Sequence, residues 1–278
     1  MAESSSLVVR PTGEQARRGR FTVALEQIWV LTRRSVLATW RNPGSWVPGL
    51  VFPLGISAIY TAQFARAISL PGFPEVDSFL EFILPASVMQ SIAFGSTNAG
   101  TDLAKDIETG FFDRLIASPV ARQSILVGRI AGSAVFAALQ AAVLVVVFVI
   151  FGAGMASGPA GALAVVLVAT LLSVALGGFG IALGLRTGNQ EATQSTFPLV
   201  FVLIFVSSAF FPTTLMRGWY RQVAEVNPFS LIIDPTRRLV IEDWSWADLG
   251  QAAGVSVAIA VVSLGLSYRQ YLWRLRAT

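Results

Sequence analysis

The chain has no cysteine, no histidine and a single lysine, Lys105, and only 13% of its 278 residues are charged. Without cysteine there is no disulfide framework, thiol nucleophile or iron–sulfur ligation. Without histidine the usual metal ligand, proton shuttle and general base are gone. An intramembrane enzyme would also lack paired buried acids, so no enzymatic activity is expected. A P-loop requires G-x-x-x-x-G-K-[ST]. Lys105 follows "TDLA", so this polypeptide cannot supply a Walker A site.

Soluble domains carry about 25% charged residues, whereas this chain is 54% hydrophobic. The composition is that of an integral membrane protein. A hydrocarbon core of about 30 Å needs roughly 20 helical residues. Six apolar runs meet this length, over 46–65, 79–100, 125–151, 160–185, 196–213 and 249–267. The fifth, "FPLVFVLIFVSSAFFP", has the shortest uninterrupted apolar core; it can cross with little tilt or belong partly to a re-entrant element. An all-α fold with six transmembrane helices follows.

The N-terminal "MAESSSLVVRPTGEQARRGR" lacks the apolar region of a secretory signal, so the mature chain is expected to start near Met1, with 1–20 a cytosolic tail. With that end inside, fifteen of the twenty Lys and Arg lie on the cytoplasmic side; Arg66, Arg217, Arg221, Arg237 and Arg238 lie outside. This asymmetry predicts both termini in the cytoplasm. Residues 21–45 place Phe21, Leu25, Ile28, Trp29, Val36 and Trp40 at helical spacing and read as an in-plane cytoplasmic interfacial helix. The membrane domain then covers 46–267, and 268–278 form a basic, aromatic cytosolic end. The loop before the sixth span contains Trp219, Tyr220, Val223, Leu231, Ile232 and Ile233, which predicts short helices at or dipping into the outer leaflet.

Ion-coupled transport needs ionisable groups at membrane depth, and the middles of the spans have none; Glu81 and Arg129 lie near span ends, where snorkelling explains them. The candidate substrate path is confined to polar neutral residues: Gln90, Asn98, Gln140, Ser207 and Ser208. Such residues usually bond a backbone carbonyl or a neighbouring helix. Small-residue pairs at "GRIAG" (Gly128, Gly132) and "GIALG" (Gly180, Gly184) predict close helix packing.

Between the second and third spans lies the charged segment "DLAKDIETGFFDRLIASPVARQ". Phe111, Phe112, Leu115 and Ile116 share one face of a short helix, surrounded by Asp106, Glu108, Asp113 and Arg114, and Pro119 limits it. Two readings stand. The helix lies against its own membrane domain as a polar connector, or it inserts an aromatic knob into a groove on a partner and transmits that partner's motion.

The six-span layout, "DIETGFFDRLIASPVARQSILVGRI" and "NPFSLIIDPTRRLV" together resemble the membrane subunits of type-2 ABC transporters, specifically the daunorubicin-resistance-type drug-export permeases of actinobacteria. The resemblance implies that 106–118 is similar to a coupling helix that docks on an ATPase, with Asp106, Glu108, Gly110, Phe111, Phe112, Arg114, Leu115 and Pro119 as its residues. It implies that Asn227, Pro228, Asp234, Arg237 and Arg238 belong to an external signature of re-entrant helices. Pro235 departs from that pattern and leaves the helix boundary open, since Asp234 can cap a new turn beginning there.

Two cytosolic ATPase subunits carrying ATP and Mg, and a second permease subunit, identical or paralogous, are implied as partners in the plasma membrane. The chain itself would bind no cofactor or metal, and no nucleic-acid partner is expected beside membrane lipid. On this reading the chain exports a drug or lipid-like compound by alternating access. The rival, from a different class, is a non-transporting membrane anchor that recruits a cytosolic protein.

Overall fold

A computed structural model describes residues 20–117, 122–195 and 197–277. Pro119 and the tail over 1–19 lie outside the described residues. Among the described residues the secondary structure is helical, with no strand. In chain order the α-helices are α1 Arg20–Trp40, α2 Pro43–Gln63, α3 Phe79–Glu108, α4 Phe111–Ala117, α5 Arg122–Ile150 and α6 Gly158–Thr187. They continue with α7 Gln190–Gln194, α8 Phe197–Phe205, α9 Gly218–Val226, α10 Pro228–Ile241 and α11 Trp246–Ala277.

Five of these, α2, α3, α5, α6 and α11, are long and apolar enough to cross a membrane. They match the first four expected spans and the sixth. The expected fifth span over 196–213 is helical only in α8. The ladder ends there because serines take over its groups. Ser207 Oγ donates to the Ile204 carbonyl at 2.6 Å and accepts from Ala209 N at 3.2 Å, and Ser208 N donates to Ser230 Oγ at 2.9 Å.

The core is centred on α3, where Phe82, Ile83, Leu84, Val88 and Met89 are fully buried. Against it runs α6, and α11 packs on α6, with Ser267 Oγ donating to the Gly178 carbonyl at 2.5 Å. The α3–α6 crossing depends on glycine: a Cβ on Gly184 would stand 2.6 Å from the Gly100 carbonyl oxygen. The "GRIAG" pair does the same for α1. A Cβ on Gly128 would stand 2.6 Å from Leu31 Cβ, and one on Gly132 2.5 Å from Ser35 Cβ. Thus α1 lies in a shallow trough on α5 and leaves Trp29, Val30 and Trp40 exposed. Asn42–Pro43 ends α1 and opens α2, placing Pro43 at the first helical turn where its missing N–H costs nothing.

Two ionisable side chains read as snorkelling do something else. Glu81 is buried and accepts from the backbone N–H of Asp77 at 3.1 Å and of Gly154 at 2.9 Å, tying together the loops before α3 and after α5. Arg129 pairs with Asp106. In both cases a fixed partner holds the charge where reach toward water was expected.

Candidate functional site

The charged segment after α3 is built by one turn. Thr109 ends the helix, its N–H bonded to the Lys105 carbonyl at 3.0 Å, and Gly110 follows at φ 67°, a left-handed conformation that glycine adopts without strain. The chain therefore reverses sharply into α4. Phe112 is then buried among Leu103, Ile125, Ile181, Leu185 and Tyr271, with its ring 6.5 Å from that of Tyr271 in an edge-to-face arrangement. Leu115 and Ile116 pack against the same cluster. Phe111 lies beneath the Arg34 guanidinium of α1, 4.3 Å from its centroid.

Phe112 is thus occupied by its own chain, while Phe111 is half-buried under Arg34. Asp106 is paired with Arg129 across to α5, and Glu108 Oε1 accepts from Gln190 N at 2.9 Å, capping the start of α7. On the outer side of α4, Asp113 and Arg114 face solvent, with Lys105 and Glu108 exposed beside them. The segment is a short charged platform bolted to α1, α3, α5, α7 and α11. Sequence spacing identified its apolar face but gave no sign of Arg34, Gln190 or Tyr271, which arrive from distant helices.

A second constellation closes the opposite end of the bundle. Asn227 caps α10, accepting from Phe229 N at 2.9 Å, while its Nδ2 donates to the Leu203 carbonyl at 2.7 Å; Pro228 fills the first helical position. Pro235 does not break the helix: α10 is continuous through it, and Asp234 does not cap a new turn. Asp234 instead accepts from Arg237 Nη1 at 2.7 Å. Arg237 also donates to the carbonyls of Phe82 at 2.9 Å, Ser208 at 2.8 Å and Ala209 at 3.2 Å. Burial pulls its guanidinium down to about 10, with Asp234 opposing, so it stays charged near neutrality.

Arg238 turns outward to Asp248 of α11, Nε to Oδ1 at 2.7 Å. Tyr220 of α9 donates its hydroxyl to the Phe205 carbonyl at 2.7 Å, and burial, with Tyr60 adding to it, raises its phenol above the ordinary value.

Among the described residues the candidate path residues fall in three places. Asn98 donates to the Ser45 carbonyl at 2.9 Å and Gln140 to Ser91 Oγ at 2.6 Å; both line a cavity of about 30 Å³ between α1, α3, α5 and α6. That is room for about one water. Ser207 and Ser208 belong to the Arg237 constellation. Gln90 is buried in α3, and neither end of its amide has a hydrogen-bond partner among the described residues.

Comparison with known proteins gives this geometry a family. Identity is 26% over 128 residues with the daunorubicin resistance ABC transporter permease protein DrrB1 of Streptomyces coeruleorubidus, covering 46% of this chain and 42% of that protein. It is 31% over 105 residues with the putative transport permease ycf38 of Pyropia yezoensis, covering 37% and 35%. With the putative transport permease ycf38 of Cyanophora paradoxa it is 28% over 117 residues, covering 42% and 40%. The chain aligns with less than half the length of these relatives. The description "ABC-2 type transporter" matches residues 26–240, from α1 through the α3–α4 reversal to the last turn of α10, and the chain belongs to that family.

Proposed function

We propose that this chain is the permease subunit of an ATP-driven exporter that moves a hydrophobic or amphipathic compound, drug or lipid-like, out of the cell. A separate cytosolic ATPase, two copies with ATP and Mg, supplies the energy, and a second permease, identical or paralogous, completes the pathway. The family and the names of its relatives support transport. Both termini lie in the cytoplasm of a plasma-membrane assembly. The fifth crossing is made by α7, α8 and the turn that follows, and α9 and α10 form an external re-entrant pair.

The observation that carries the reading is the α4 platform. A helix that must pass on a partner's motion has to be stiffly joined to the spans and still present a free face. Phe112, the Gly110 reversal and the Asp106–Arg129 pair supply the first requirement. Exposed Asp113 and Arg114 supply the second. The aromatic pair anchors the lever, and the charged pair meets the ATPase.

The test is reconstitution with the ATPase in liposomes, following ATP-dependent movement of daunorubicin and of a fluorescent phospholipid. Asp113→Arg with Arg114→Glu should abolish transport while the permease melts at an unchanged temperature. Full transport by that variant overturns the coupling assignment. ATP hydrolysis without movement of any compound in a broad panel favours the membrane anchor.

A further inference from the structure

Between α1 and the ends of α3, α4 and α5 lies a cleft of about 530 Å³ whose walls include Arg34, Arg41, Lys105 and Arg129 but only two carboxylates, Asp102 and Asp106. Asp106 is engaged with Arg129. Among the described residues Arg34, Arg41 and Lys105 form no ion pair, so three cations face Asp102 and two positive charges remain uncompensated. A second hollow, about 470 Å³, runs along the adjoining face of α1, with Trp29, Val30 and Leu37 as its apolar strip and Arg33 beside them. The two hollows share Arg34, Ala38 and Arg41, so a cationic slot and an apolar groove meet across one helix.

An anion alone would use the slot and leave the groove empty. An apolar molecule alone would leave the charges bare. We propose that cleft and groove together bind an anionic phospholipid, its phosphate between Arg34, Arg41 and Lys105 and an acyl chain along Trp29 and Leu37.

The proposal rests on α1 lying at the membrane interface, the position its sequence leads one to expect for 21–45. Charge complementarity selects the occupant: a phosphatidylglycerol headgroup brings one net negative charge, a phosphatidylcholine headgroup none. Such a lipid would also load the platform described above. Arg34 stacks on Phe111 at the start of α4, and Lys105 stands one residue before the Asp106 that α5 holds. A phosphate bridging Arg34 to Lys105 therefore fastens α1 to the root of α4.

The test is native mass spectrometry of the full chain in detergent, titrated with phosphatidylglycerol or phosphatidylcholine of identical acyl chains. Phosphatidylglycerol adducts should persist where phosphatidylcholine adducts are lost. Arg41→Gln and Lys105→Gln should each weaken phosphatidylglycerol binding about fivefold, the worth of one cation near a headgroup. Arg221→Gln, on α9, should change nothing. Equal retention of the two lipids, or unchanged binding in both cleft variants, overturns the proposal.

Glycerophosphoglycerol and inorganic phosphate form the soluble arm. If either binds as tightly as the lipid, the site is a phosphate site and the lipid assignment falls. A photoactivatable phosphatidylglycerol should label α1 peptides of the unaltered chain, a readout independent of how the variants fold. Cross-linking of α1 to a second copy in lipid-free detergent would assign the groove to a protein contact and overturn the proposal. No step involves the ATPase or transport, so failure here leaves the exporter reading standing, and the reverse.

Discussion

The Arg237 guanidinium lies 3.8 Å above the Phe82 ring centroid and donates its Nε–H to the backbone carbonyl of the same phenylalanine at 2.9 Å. One side chain from α10 thereby grips both the ring and the backbone of α3. Its Nη1 donates to Asp234, and its Nη2 reaches the Ser208 and Ala209 carbonyls just beyond the end of α8. The guanidinium fork substitutes for the missing helical turn, and Arg suits this role because its donors are fixed in one plane.

Arg237→Lys keeps a charge but cannot reach three carbonyls and Asp234 in one plane, so it should destabilise the purified protein clearly. Arg237→Ala should cost roughly 3–5 kcal/mol, the range for removing one partner of a buried ion pair. Thermal unfolding in detergent measures both. A lysine variant melting with the unaltered protein would show that positive charge alone suffices.

Phe112→Ala removes the largest side chain that α4 buries, and truncating a core phenylalanine typically costs about 3–5 kcal/mol. The loss should be local, raising amide exchange in α4 and in the last turns of α11 around Tyr271 while leaving the centre of α6 protected. Phe112→Leu should recover much of the protection. Unchanged exchange in α4 would mean that Phe112 does not hold it.

Much of this molecule is legible in its apolar runs, because a span must satisfy its own backbone and exclude charge over a fixed length. The run over 196–213 is α-helical only to Phe205 for a physical reason: beyond it, besides the local Ser207 bonds, the Ser208 N–H goes to Ser230 and the Ser208 carbonyl to Arg237, more than twenty residues away. Hydropathy cannot register a partner that arrives from another helix. Glu81 is the same case, its acceptor role set by Gly154 from 73 residues on. In α4, Phe112, Leu115 and Ile116 share a cluster as spacing groups them, while Phe111 lies under Arg34, and neither Tyr271 nor Arg34 is visible in that spacing. Asn227 and Pro228 entered only through the family resemblance, although a cap followed by proline is a local device that the sequence itself displays.

Gly132→Val should lift α1 from its trough. The added methyls would enter space held by Ser35 Cβ, while α5 keeps its own hydrogen bonds and gains helix propensity. Limited proteolysis should therefore cut faster within α1, with α5 and α6 intact. Protection of α1 equal to that of the unaltered chain would show that the glycine contact is dispensable.

The Asp106–Arg129 pair should respond asymmetrically to truncation. Asp102 lies one helical turn before Asp106 on α3 and lines the same cleft as Arg129 of α5. Asp106→Asn leaves Arg129 a second carboxylate within the cleft, so the loss should be small. Arg129→Met leaves two carboxylates at i, i+4 facing each other without their cation, adding repulsion to the lost bond. Hydrogen bonds to charged groups contribute about 1.5–3 kcal/mol, and Arg129→Met should reach that range while Asp106→Asn falls below it. The exchanged double variant, Asp106→Arg with Arg129→Asp, should recover part of the loss, because Asp102 can then pair with the new arginine. Melting temperatures of these proteins, with Asp106→Asn combined with Arg129→Met to close the double-mutant cycle, measure the coupling. Equal losses in the two single variants would mean that Asp102 takes no part, and the cleft would then hold its charges independently.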